Sequence, residues 1–436
     1  MKKIIALVLA MVLVLSMAAC GAKEEATTTV AAPAGTEAPA DTGAAEETGE
    51  ATEAATEAAT EGGEAVDASG LKVGFIFLHT EQSTYDKNFI DAAIAACEEL
   101  GVEMAQKTDI PESQACYEAA VELIEVVECD IIFADSFGHE SFLMQAAEEY
   151  PEVQFCHATG TQAHTAGLEN FHNAFASIYQ GRYAAGVVAG LKLNEMIEAG
   201  TITAEQAKMG YVGAFTFAEV ISGYTSFYLG AKSVCPSVTM DVKFTGSWYD
   251  ETKEKAAAEA LIAGGCVLIS QHADSMGAPT ACENAKVPNV SYNGSTASAC
   301  PETFLISSRI NWVPYFKYMI TQVANGEAIA TDWTGTLETE SVLLTELGAN
   351  VAEGTAEKLE EVLAGLNDGT INVFDTATFT VGGETLTSYM ADVDTDANFE
   401  GDTEVIENGI FMESAKRSGP YFDLRIDGIT LLDEAY

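Results

Sequence analysis

The chain has 436 residues, with 67 acidic against 20 basic residues and a formal net charge of -47. A chain of this length buries at least one large core and suggests two or more domains. The acidic excess argues against an exposed nucleic-acid site, which needs clustered Lys or Arg, and against a phosphorylated ligand.

Residues 1–20, MKKIIALVLAMVLVLSMAAC, place two lysines before an apolar run and small residues before Cys20. This is the layout of a secretory signal. The cysteine resembles that of a bacterial lipobox, which implies lipidation at Cys20 and a lipid anchor on the extracytoplasmic side of the cell membrane. Residues 21–70 are Ala, Thr, Glu, Gly and Pro with ATEAATEAATE repeats. They hold too few large apolar residues to offset the entropy of ordering and read as a disordered acidic tether.

From residue 71 strands and helices alternate. LKVGFIFL (71–78) is a strand buried on both faces, HTEQSTYD (79–86) is a polar loop, and the apolar positions from 89 to 100 recur at helical spacing before Gly101. Strand, loop and helix in this order open a doubly wound sheet, whose ligands lie at the strand carboxyl ends. Strands at 102–107, 130–135 and 153–160 alternate with helices at 112–127 and 141–149. Residues 168–196 begin extended and become a helix with Ala184, Ala185, Gly186, Ala189 and Gly190, small enough to let another backbone approach closely.

A second series starts with MGYVGAF (209–215) and continues through strands at 240–248, 266–274, 287–294 and 303–312, with helices at 219–235, 254–263 and 313–325. Two such series predict an α/β protein of two Rossmann-like lobes with a hinge. The expected division is 71–190 plus 309–328 for the first lobe and 191–308 plus 329–436 for the second. In the tail, 355–366 reads as helix and 374–379 as an edge strand.

The strand ends collect rings and hydrogen-bonding groups: Tyr85, Asp86, Ser136, Phe137 and His157 in the first series, Trp248, Asp250, Gln271, His272, Asp274, Asn293, Arg309 and Trp312 in the second. That mixture suits a planar polar heterocycle held by stacking and edge contacts in the interlobe cleft. Each residue also has a plainer role available: Asp86 and Asp250 as helix caps, Trp248 and Trp312 as packing aromatics, both histidines as structural hydrogen bonders. No GxSxG, HExxH or phosphate-binding glycine loop occurs, so neither catalysis, a metal nor a cofactor is expected. Cys97, Cys116, Cys129, Cys156, Cys235, Cys266, Cys282 and Cys300 lack metal-ligand spacing and read as small core residues.

The segment from EVISGYTSFYLGAKSV through TGSWYDETKEK to LISQHADS (219–275), with SFGHESFLMQAAEEYPEVQFCHATG (136–160) and NFHNAFASIYQGRYAAGVVAG (170–190), resembles the basic membrane protein family. These are purine nucleoside receptor-like substrate-binding lipoproteins of ABC importers. The resemblance implies the periplasmic-binding-protein type I fold, a monomer, a purine base or nucleoside as ligand, and an ABC permease with its ATPase as partner. Carried over, Phe137 and Trp248 are expected to contact the ring, Asp274 and Asn293 its edge, with Tyr85, Ser136 and Trp312 completing the pocket. Ile90 stands where the family motif DxSFN has its ligand-binding asparagine, and a lysine common near the later crossing is missing around 308–311. These departures favour a free base, and the HATG and QHAD segments with Trp312 look like the adenine-binding branch. The alternatives are a sensing lipoprotein without transport, or another heterocycle such as riboflavin.

Overall fold

The computed structural model describes residues 67–393 and 401–436. Cys20 and the expected signal and tether up to residue 66 lie outside them. The chain divides into two units, Met1–Thr52 and Glu53–Tyr436, and all described residues belong to the second.

The first lobe is built from β1 (Lys72–Ile76), α1 (Thr84–Leu100), β2 (Glu103–Lys107), α2 (Gln114–Glu125), β3 (Ile131–Ala134), α3 (Glu140–Glu149), β4 (Gln154–Ala158), α4 (Ala163–Ala166) and β5 (Phe171–Ala176). α1 starts where the Ser83 hydroxyl accepts the Asp86 N–H at 3.2 Å. It stops at Gly101, whose φ of 68° is the left-handed conformation that costs glycine nothing.

The chain then crosses to the second lobe through α5 (Ile178–Glu198), β6 (Lys208–Gly213), α6 (Ala218–Val234), β7 (Thr239–Phe244), α7 (Glu251–Ala263), β8 (Leu268–His272), α8 (Gly277–Ala285), β9 (Asn289–Tyr292) and β10 (Phe304–Ile310). It returns for α9 (Val313–Asn325) and β11 (Asp332–Gly335), then crosses again to β12 (Val342–Leu344) and α10 (Thr355–Asn367). The first sheet is parallel, ordered β11-β5-β4-β3-β1-β2. The second is ordered β12-β10-β9-β8-β6-β7 and ends on the strand Ile429–Leu431; only β12 runs antiparallel. The chain adopts the expected two-lobed α/β fold with a hinge.

Three expectations are corrected. α5, expected to stay largely with the first lobe up to residue 190, packs on α6 of the second. A Cβ at Gly186 would lie 2.0 Å from the Phe227 carbonyl, and one at Gly230 2.0 Å from the Tyr183 carbonyl, so the small residues serve this crossing. β11, within the stretch expected for the second lobe, instead extends the first sheet beside β5. Residues 374–379 form no strand: Phe374 stacks on Phe422 at 4.3 Å and Phe379 meets Phe422 edge-on at 6.3 Å, so the rings fill a core instead of bordering a sheet. All eight described cysteines are buried free thiols, and burial pushes the Cys156 thiol up to about 12.

Candidate functional site

Loops after the strands of the two sheets meet around a small cavity. The first lobe contributes Leu78, His79, Tyr85, Asp86, Ser136, Phe137 and Thr159; the second contributes Glu219, Trp248, His272 and Asp274. The lobes also touch directly. The Thr84 N–H and hydroxyl donate to the Asp274 carbonyl at 3.0 and 3.2 Å, and Asn88 Nδ2 donates to Asn293 Oδ1 at 3.4 Å. Phe137 meets Phe217 at 5.2 Å and His79 meets Tyr249 at 5.4 Å.

On the first-lobe wall the lining side chains of Tyr85, Asp86 and Ser136 already have partners. Asp86, in the first turn of α1, accepts the His79 N–H at 2.6 Å and faces His79 Nδ1 at 3.3 Å. Burial opposes its ionisation, yet the hydrogen-bonded His79 and Ser83 outweigh that and hold its carboxyl below the usual range. The Tyr85 hydroxyl donates to the Asp135 carbonyl at 2.7 Å, and Ser136 donates to Glu112 at 2.7 Å. Burial, then the neighbouring Asp86, pushes the Asp135 carboxyl well up. Thr159 has φ 64°, a strained conformation for a β-branched residue. Its loop is drawn in by buried Glu140, which accepts the Thr161 and Gln162 N–H groups at 2.7 and 2.9 Å.

The second-lobe wall is different. Asp274 sits just past β8 with Asn293 Nδ2 donating to its Oδ1 at 3.4 Å; Asn293, at the turn after β9, has φ 65°. Burial, followed by the fields of Glu254, Asp86 and Glu219, pushes the Asp274 carboxyl well above the ordinary carboxylate range. His272 Nε2 lies 3.3 Å from Glu219 Oε1, and burial lowers the His272 pKa, so the imidazole is neutral. Trp248 is braced edge-on by Phe215 at 5.1 Å. Glu254 fixes the two loops below by accepting the Asp250 and Ser275 N–H groups at 3.0 and 3.1 Å.

Of the residues expected at the ligand, Tyr85, Asp86, Ser136, Phe137, Trp248, His272 and Asp274 line this cavity. Asn293 stands behind Asp274. His157, Asp250 and Trp312 are not brought to it. His157 Nε2 is 2.7 Å from the Ser136 carbonyl, under the loop. Asp250 is the N-cap of α7, accepting the Lys253 N–H at 3.0 Å. Trp312 stacks on Phe89 at 4.4 Å in the first-lobe core, where Ile90 is also buried. Sequence reading missed Leu78, His79, Thr159 and Glu219. Their positions directly after β1 and β4, and in the first turn of the helix after β6, were the available signal. Among the described residues no group of His, Cys, Asp and Glu is arranged to hold a metal ion.

The model of the family described as ABC transporter substrate-binding protein, PnrA-like, matches residues 79–373. A purine-binding protein of Brucella abortus is 30% identical over 319 residues, 72% of this chain and 85% of that protein. A putative ABC transporter glucose-binding protein of Haloferax volcanii is 32% identical over 232 residues, 53% of this chain; the chain spans 56% of that relative's length. Among solved structures, ABC transporter solute-binding proteins of Aeropyrum pernix and Conexibacter woesei share the fold. The former has a TM-score of 0.59 at 18% identity, covering 73% of this chain and 94% of its own. The latter has 0.55 at 18%, covering 69% and 97%.

Proposed function

Because the chain belongs to the PnrA-like family of ABC transporter substrate-binding proteins, which are carriers and not catalysts, we propose that it captures a purine between its lobes and delivers it to an ABC permease with its ATPase. Adenine is the favoured cargo and a purine nucleoside the second. The observation that carries this reading is the cavity's composition: Phe137 and Trp248 come from opposite lobes, and the buried Asp274 carboxyl lies beside them. Rings from both sides suit a flat heterocycle, and a buried carboxyl suits an amino or ring N–H at its edge. The Brucella relative's purine binding supports the same cargo.

Here Phe137 and Trp248 stack on the base and Asp274 takes its amino edge, with Asn293 orienting Asp274. Tyr85, Asp86, Ser136 and His272 shape the walls. The closed lobes, held by the contacts of Thr84 and Asn88, form the state that the permease receives. Ligand binding shifts the population toward that state. The carrier acts as a monomer lipid-anchored through Cys20. Calorimetric titration of the chain, stripped of copurified ligand by unfolding and refolding, tests the proposal with adenine, adenosine, guanosine, riboflavin and glucose. Adenine tighter than adenosine by about tenfold supports the free base, and binding of riboflavin or glucose alone removes the purine reading.

A further inference from the structure

Glu219 is a second carboxyl on the second-lobe wall, beside Asp274 in the cavity lining. It lies in the first turn of α6, where the helix N-terminus favours a carboxylate. Its side chain is 10% exposed and lines the cavity. Among the described residues its one side-chain hydrogen bond is the contact with His272. The His272 ring is neutral, and its Nδ1 has no partner among the described residues, so Nε2 carries the proton and donates to Glu219. The ring is wedged in place: a Cβ at Gly223 would come within 2.6 Å of Nδ1, and Tyr292 lies at 4.5 Å. Tyr292 in turn rests on the fully buried Arg182 guanidinium at 5.0 Å, which donates to the Ser270 and Tyr211 hydroxyls at 2.8 and 3.0 Å.

The second lobe therefore presents two separate acceptors, Asp274 and Glu219, each steadied by one donor and each with oxygen lone pairs to spare. Resting on the purine reading above, we propose that Glu219 is a specificity-determining residue that accepts the ligand's imidazole N–H, with His272 as its positioning residue. A free purine offers its exocyclic amino group to Asp274 and its imidazole N–H to Glu219. A nucleoside, substituted at N9, has lost the second donor and would leave the largely buried Glu219 with its single contact from His272 and its remaining acceptor capacity unfilled, which is costly. The cavity thus selects bases by a missing or present proton, independently of whether a ribose fits.

The test uses adenine and 9-methyladenine, which differ in that N–H and carry no sugar, titrated calorimetrically into the ligand-stripped full chain. The wild type should prefer adenine by about tenfold or more. Glu219→Ala should bring the two within about threefold of each other by weakening adenine alone, and retained 9-methyladenine binding reports an intact pocket. His272→Leu should reduce the preference, and His272→Gln, which keeps a side-chain N–H donor, should restore most of it. Equal binding of both ligands by the wild type overturns the inference but leaves the purine reading standing, as does a preference that survives Glu219→Ala. Loss of both ligands in Glu219→Ala overturns it too, since the methylated base does not use this carboxylate. A wild type that binds neither ligand defeats the purine reading itself.

Discussion

The two lobes build their halves of the cavity on opposite principles. In the first lobe two carboxylates are supplied with donors, Asp86 by His79, and Glu140 by two backbone N–H groups together with Gln162 Nε2 at 3.0 Å and Asn173 Nδ2 at 3.1 Å, while Asp135 beneath the lining accepts, among the described residues, only the Leu78 N–H at 3.1 Å. In the second, Asp274 has one long contact from Asn293, Glu219 has one from His272, and Glu254 has two backbone donors. A fully supplied carboxylate holds a loop in shape and has little left for a ligand; an under-supplied one is costly until something binds it. On the proposed function the first lobe is thus a frame and the second a reader.

The largest expected effect separates Glu140 from Glu254, which do the same mechanical job. Burial raises the Glu254 carboxyl from 4.5 to about 7, its two backbone donors notwithstanding. Its folded pKa exceeds its unfolded one, so the stability it contributes is full below about pH 4.5 and is lost as pH rises through about 7, on the order of 3 kcal/mol in all. Glu254→Gln should therefore flatten stability across that window in denaturant unfolding at pH 4.5 to 8, with a pH-independent loss because its amide can accept only one of the two backbone N–H groups. Glu140→Gln turns an amide against several donors and should be destabilised throughout. Matching pH profiles for the two variants would erase the distinction between the lobes.

Next in size is the contact proposed for the ligand. Asp274→Ala should weaken adenine by about 100-fold, the upper range for a hydrogen bond to a charged or strongly polar partner, while Ser136→Ala across the cavity should cost about threefold or less, because that hydroxyl is committed to Glu112. Similar losses from both, measured calorimetrically, would mean that the first lobe reads as well as frames. Trp248→Ala should cost about tenfold through lost stacking. Its loss should be similar for adenine and 9-methyladenine, since a ring face does not sense the edge.

The same contrast explains what was legible in the sequence. Alternating strands and helices gave the two series because each buried strand and each amphipathic helix carries its own periodicity. Tyr85, Ser136, Trp248 and Asp274 were visible because they sit in or beside strand-ending loops. Lobe membership of α5 and β11 was not legible, since apolar periodicity says that a face is buried and not against what. Glu219 was hidden because a first-turn glutamate reads as a solvated helix start; only the packed His272 beside it distinguishes it. Asp250 and Trp312 misled in the opposite direction. A cap and a core aromatic at strand ends have the same sequence appearance as ligand contacts.

The smallest effect tests whether frame and reader communicate. Asn88 on α1 donates to Asn293, and Asn293 donates to Asp274, so a chain of two 3.4 Å amide contacts runs from the first lobe to the reading carboxyl. The Asn88 link joins the two lobes and would break if they parted. Asn88→Ala should therefore leave encounter with the open protein unchanged and release the ligand about two- to fivefold faster, the loss of one neutral hydrogen bond. Stopped-flow fluorescence of the tryptophans resolves the two rates. A slower association with unchanged release would place the Asn88 contribution in the open protein, and Asn293 would then orient Asp274 without help from the other lobe. Faster release alone means that closing the frame is what steadies the reader.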